Sequence, residues 1–236
     1  MTTSALRVLM SGGFTGAYEA LLPQFEQTSG VAVSTGSGAS QGSGPHTIGA
    51  QLARGIAADV VILSREGLTE LIAANRIVAG TDVDLARVGL GVAVRAGAGK
   101  PDVSSVDAVK QTLLTAKTIA VPGSTSGIWL RDELFPRLAV ADRIDMRITP
   151  RGSDAAALVA ASGAALAVMP VSEILVAPGV DHAGALPDEI QMIQVFAAAI
   201  VAGSTAVAAA RQLTAFLTSP AAAEAIRRSG MEPMTG

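Results

Sequence analysis

The sequence predicts an α/β fold built as two units, each a parallel sheet covered by helices. Three observations predict it. Short apolar runs alternate with segments of helical periodicity along nearly the whole chain. Loops rich in Ser, Thr and Gly follow several of the runs. The series then restarts near Val88, and an apolar run at Gln191–Val201 leads back to two closing helices. The expected division puts residues 1–86 and 190–236 in one split unit and 87–189 in the other.

Leu6–Met10 is a short apolar run stopped by Ser11-Gly12-Gly13, and Ala17, Leu21, Leu22 and Phe25 then recur at helical spacing. This reads as strand, loop and helix, with Gly30 ending the helix. Val31–Val33 resumes a strand that runs into the loop Gly36–Gly44, and a helix at Thr47–Arg54 follows Pro45. Asp59–Leu63 is a buried strand and Glu66–Ala74 a helix. In the second unit, Val88–Val94, Thr118–Val121, Arg147–Thr149 and Ala165–Met169 read as strands. Helices are expected at Ser105–Ala116, Ile128–Leu138 and Asp154–Ser162, and the closing pair at Thr205–Leu217 and Pro220–Arg228.

Composition narrows the function classes. Of 236 residues, 50% are hydrophobic, 16% charged and only 3% aromatic, so the core is made from Ala, Val, Leu and Ile, and disorder is excluded. Seventeen Lys and Arg against 20 Asp and Glu give a net charge of −3, which supplies no field to hold a polyanion. Nucleic acid is therefore not an expected partner. Cysteine is absent, which excludes disulfides, thiolate metal sites, iron–sulfur clusters and a cysteine nucleophile. The apolar segment at Val195–Ala202 is too short to cross a membrane, so no membrane insertion is expected. The N-terminus has no basic start or export-length apolar run, which predicts a cytoplasmic protein as written, or a periplasmic one if a leader was removed.

The candidate site lies in four polar loops: Ser11-Gly12-Gly13, Gly36–Ser43 with Ser37 and Ser40, Ser124-Thr125-Ser126, and Gly152-Ser153. Ligands of open α/β sheets bind beyond the carboxyl ends of the strands, where helix N-termini present free N–H groups. Ser, Thr and Gly are also ordinary caps and turn formers. Four such loops in corresponding positions, two per unit and facing one cleft, instead predict a site for a small anion. Arg54 and Arg151 could assist with a carboxylate, although each is also an ordinary surface charge. No dinucleotide fingerprint or P-loop is present, and no cofactor or metal is expected. Gly38–Gly42 matches a nucleophile elbow, but Gly44-Pro45 breaks the helix that motif requires. Of the two histidines, His182 reads as a surface residue in a polar loop, and His46 follows the long loop at a helix start near the presumed cleft. Trp129, Phe135 and Tyr18 read as packing residues.

The chain resembles bacterial solute-binding proteins of the molybdate-binding type. The likeness rests on Leu6–Leu9 with its Ser/Gly loop, Phe25–Val31, Leu52–Ile62, Leu71–Val78, Phe216–Ala223 and Gly230–Pro233. It implies a type 2 periplasmic-binding-protein fold of two Rossmann-like lobes with a hinge, and an oxyanion held between them by hydroxyls and amides. By position, Ser11 and Ser37 or Ser40 match the ligands of one lobe, and Ser124–Ser126 with Ser153 those of the other. It also implies an ABC permease as partner if the protein is exported. The second loop is longer by Gly42–His46, and the stretch after Pro170 lacks the Tyr of the molybdate binders, which points to a larger ligand such as a small organic acid.

Two functions are expected from these residues. One is binding of a small oxyanion or carboxylate in the interlobe cleft. The other is a cofactor-independent isomerase or tautomerase of an unsaturated carboxylate, with loops stabilising an enolate and His46 as acid/base.

Overall fold

The computed structural model describes residues 5–234. Met1–Ser4, part of the N-terminus read above for a leader, lie outside the described residues. Two compact units form, one from the chain up to Arg87 and from Val195 onward, the other from Val88 to Gln194.

The first unit begins with β1 (Leu6–Met10), α1 (Thr15–Ser29), β2 (Val33–Ser37), α2 (Ile48–Ala53), β3 (Val60–Ser64) and α3 (Arg65–Ala73). Strand β1 pairs in parallel with β2 on one side and β3 on the other, so all three carboxyl ends point the same way. Ala17, Tyr18, Leu21 and Phe25 form the buried stripe of α1. The helix stops at Gly30, whose φ of 69° is one that a residue without Cβ adopts freely. Leu9, Ile48, Leu52, Val61, Leu63 and Leu68 share one core cluster of this unit.

The chain passes into the second unit within β4 (Val83–Arg95). There follow α4 (Val106–Ala116), β5 (Thr118–Pro122), α5 (Thr125–Trp129), a π-helical stretch at Leu130–Leu134 and α6 (Phe135–Arg137). Next come β6 (Asp145–Thr149), α7 (Gly152–Ala160), β7 (Leu166–Pro170), α8 (Val171–Val176) and β8 (Val180–Ala185). Strand β5 lies parallel between β6 and β7, and β4 runs antiparallel to β7 and β8. One face of this sheet packs on branched and aromatic residues, among them Ile119, Val121, Leu134 and Phe135. The other carries alanines, Ala120 and Ala167 against Ala155, Ala156 and Val159 of α7. Small side chains on both surfaces let α7 lie close to the sheet, which sets its first residues beside the strand ends.

The chain returns within β9 (Ile193–Ile200), which pairs antiparallel with β3, and ends in α9 (Val207–Leu217), α10 (Pro220–Arg228) and β10 (Glu232–Pro233). Phe216 of α9 meets Phe25 of α1 with ring centroids 5.6 Å apart.

Strand β2 runs to Ser37, inside the expected loop, the helix expected from Ile128 starts at Thr125, and three further features depart from the sequence expectation. Strand β4 starts at Val83 instead of Val88. No element is expected at the six residues of α8, where β-branched Val171, Ile174 and Val176 weaken the helical signal. His182 is not in a surface loop. It stands half-buried in β8, opposite Ala93 of β4. Val-Asp-His-Ala-Gly-Ala has little intrinsic strand preference, and pairing with the edge of β4 imposes the extended form.

Candidate functional site

In the first unit the loops after β1, β2 and β3 lie at one end of the parallel strands. Ser11 is 4% exposed, and its N–H donates to the Ile62 carbonyl at 2.8 Å. Its Oγ is buried and has no hydrogen-bond partner among the described residues. Such a hydroxyl can donate to a ligand, and leaving it unpaired is unfavourable. Gly12 is exposed and Gly13 buried. A Cβ on Gly13 would stand 1.9 Å from the Phe196 ring, so the loop can only pass here as glycine.

Ser40 is buried, and its Oγ accepts the Ser64 N–H at 2.9 Å. The elbow reading of Ser40 has no helix behind it, since α2 starts only at Ile48. Ser37 is exposed, and its carbonyl accepts from Gln51 Nε2 at 3.0 Å. His46 is exposed, and its carbonyl accepts from the Ala39 N–H and from Gln51 Nε2. Thr47, not His46, caps α2 by accepting the Ala50 N–H. Arg54 is exposed and donates to the Pro45 carbonyl at 2.7 Å, pinning the long loop. Tyr18 packs in the core with its hydroxyl on Thr35 Oγ1 at 2.8 Å.

The second unit repeats the arrangement at the ends of β5, β6 and β7. Ser124 is the N-cap residue of α5, and Thr125 and Ser126 are buried. The Gly123 N–H donates to the Thr149 carbonyl at 2.6 Å, tying the loop after β5 to the end of β6. Gly152 begins α7 and Ser153, next to it, is exposed. Arg151 is exposed and pairs with Asp154 at 3.1 Å. Trp129 and Phe135 pack on the core of this unit.

Glu173, in the first turn of α8, is a residue that sequence reasoning missed. It is partly buried, and its Oε2 lies 1.8 Å from the point where a Cβ on Gly152 would stand. Burial pushes its carboxyl up to about 7, against the pull of Arg151. The only sequence signal was an acid directly after a buried strand, and its depth depends on α7, some 20 residues earlier in the chain.

A cavity of about 830 Å³ opens at the other ends of the same strands, by Thr118 and Leu166, along Ala108, Thr112 and Thr115 of α4. The polar loops take no part in it. Among the described residues no group of three or more His, Asp or Glu could hold a metal ion, and no helix is long and apolar enough to cross a membrane.

Removing the Ser11 hydroxyl separates a binding role from a structural one. Ser11→Ala is expected to leave the melting temperature unchanged or slightly raised, because an unpaired buried hydroxyl is removed, and to weaken ligand binding about 10- to 100-fold. Calorimetry and thermal unfolding on the same variant check both signs.

The chain is 37% identical over 234 residues to an aconitate isomerase of Pseudomonas sp, covering 98% of this chain and 88% of the relative. The periplasmic molybdate-binding protein of Azotobacter vinelandii superimposes with a TM-score of 0.71 at 20% identity, covering 96% of this chain and 98% of that one. The sulfate-binding protein of Mycobacterium tuberculosis gives 0.72 at 20% identity, covering 98% and 87%. These neighbours identify the fold as the type 2 periplasmic-binding-protein kind. The family model for bacterial extracellular solute-binding proteins matches residues 6–232, and the chain belongs to that family.

Proposed function

We propose that the protein binds a small unsaturated polycarboxylate and moves its double bond, with aconitate as the first substrate to test. The observation that carries this reading is the pair of uncharged donor sets at the carboxyl ends of the parallel strands, above all the Ser11 Oγ, which has no partner among the described residues. The 37% identical relative named aconitate isomerase supports the substrate class. Ser11, Gly12, Gly13, Ser37 and Ser40 form the donor set of one unit, and Ser124, Thr125, Ser126 and Ser153 that of the other, and each set is of a kind that takes a carboxylate. Hydroxyl and amide donors to a charged oxygen contribute about 1.5–3 kcal/mol each, so a few suffice for a polyanion of this size. The same donors favour the enolate form of a carboxylate once the neighbouring C–H proton has left. The reaction asks only for proton transfer.

Family membership favours a second reading, in which the protein delivers the ligand to an ABC permease without changing it. Incubation with cis- and trans-aconitate, followed by proton NMR, decides between them. Saturation at about 100 times the dissociation constant adds about 2.7 kcal/mol, a rise in melting temperature of roughly 5–10 °C for a chain of this length. Conversion of one isomer to the other supports the isomerase. A thermal shift without conversion supports solute capture, and neither effect with any small di- or tricarboxylate, molybdate or sulfate removes both.

A further inference from the structure

We propose that Glu173 is the acid/base of the double-bond shift, the group that takes the proton from one carbon of the bound polycarboxylate and returns it to another. This rests on the isomerase reading. The carboxyl leaves β7 on the first turn of α8 and lies over the main chain where α7 begins. The point 1.8 Å from Glu173 Oε2 is where a Cβ on Gly152 would stand, and the Met169 methyl is 3.0 Å from that same point. The group therefore lies against the Gly152 backbone with the Met169 methyl nearby, at the strand ends of the unit that carries Ser124–Ser126 and Ser153. No hydrogen bond to it forms among the described residues, and only burial and Arg151 act on its charge.

A carboxylate kept only for stability is paired, and this one is not. The charged side chain that faces it is Arg151, which is exposed and already engaged by Asp154. Desolvation prevails and holds the group near pH 7, where a carboxyl exchanges protons most effectively at neutral pH. His46, the other candidate, is exposed, and its backbone carbonyl accepts from Ala39 and Gln51.

The step balances without a co-reactant. A C–H bond of the methylene next to the double bond breaks, its proton goes to the Glu173 carboxylate, and the electron pair spreads through the allylic system onto a carboxylate held by the loop donors. The protonated Glu173 then gives its proton to the far carbon of that system. A new C–H bond forms there and the double bond has moved by one position.

Glu173→Gln keeps the shape of the side chain and removes its proton chemistry. It is expected to cut turnover of aconitate by about 10²–10⁴ with affinity changed less than about threefold, and to abolish the rise in wild-type rate with pH through about 7. Glu173→Asp should recover part of the activity. The sign for stability is opposite. A carboxyl whose folded pKa lies above its unfolded value destabilises the fold increasingly as pH rises from about 4.5 to beyond 7, so Glu173→Gln should melt higher than wild type at pH 8. A second variant, Gly152→Ala, keeps the carboxyl's chemistry but puts a methyl about where its oxygen lies and so displaces it, and is expected to lower turnover at least tenfold. If the wild type converts aconitate and Glu173→Gln retains both its rate and its pH profile, Glu173 has no part in the proton transfer, although the isomerase reading stands. A wild type that converts no unsaturated polycarboxylate overturns that reading and the role of Glu173 with it.

Discussion

Asp59→Ala is expected to lower stability by about 2–4 kcal/mol at pH 7, which for 236 residues is a drop in melting temperature of roughly 5–15 °C. Asp59 is 1% exposed at the entry to β3. Its carboxylate accepts the Arg7 main-chain N–H, Arg7 Nε and the second Arg7 guanidinium nitrogen, each at 2.9 Å, and the Ser204 hydroxyl at 2.8 Å. It thus ties β1, β3 and the turn after β9 together. The Arg7 side chain is 43% exposed, so truncating Asp59 leaves a cation that water can reach, and the loss falls short of that for a fully buried pair. The Arg7 hydrogen bond holds the Asp59 carboxyl down to about 2, against burial. A depressed carboxyl contributes stability that is complete above its unfolded value near 4 and is lost as pH falls toward 2, a contribution of about 2 kcal/mol. Urea unfolding of wild type and Asp59→Asn between pH 2 and 7 checks this, since only the wild type should lose that increment in acid. Equal slopes in the two proteins, or an Asp59→Ala loss below 1 kcal/mol, would refute it.

Gly127→Ala should destabilise by more than about 3 kcal/mol, a melting temperature roughly 6–12 °C lower, although helix propensity alone predicts a gain near 1 kcal/mol. Gly127 is buried in α5 directly after the polar turn at Ser124. A Cβ there would stand 1.5 Å from the Pro122 carbonyl oxygen and 2.7 Å from its carbon. Both atoms are main chain at the end of β5, and that strand is paired with β6 along its whole length and with β7 at Ile119 and Ala120. Neither the strand nor the helix can give way without loss of pairing or packing, so the strain exceeds that of an ordinary overpacked side chain. The turn that must move carries Ser124, Thr125 and Ser126, so calorimetry should also show weakened ligand binding. A stable Gly127→Ala protein with wild-type affinity would show that the helix start is free to shift.

The sequence by itself determined most strands and helices, the position of the polar loops and the family likeness. Leu6–Met10, the stripe Ala17, Leu21 and Phe25, and the stop at Gly30 are local patterns: they depend on residues within a turn or two of one another. Donor-rich loops after strands were legible for the same reason, because Ser and Gly mark the turn where a strand ends. Tertiary structure decided what each loop residue has around it. Ser11 and Ser37 read alike in sequence, yet one hydroxyl is buried without a partner and the other residue is exposed. His182 became a strand residue only because the edge of β4 was there to pair with it. In the sequence Glu173 is one acid among 20 Asp and Glu, with nothing local to single it out. It acquires a neutral-range carboxyl only where α7, drawn close by its alanine face, brings the bare backbone of Gly152 against it. Burial and pairing between residues far apart in the chain are sums over neighbours, and a single strand of sequence carries no list of those neighbours.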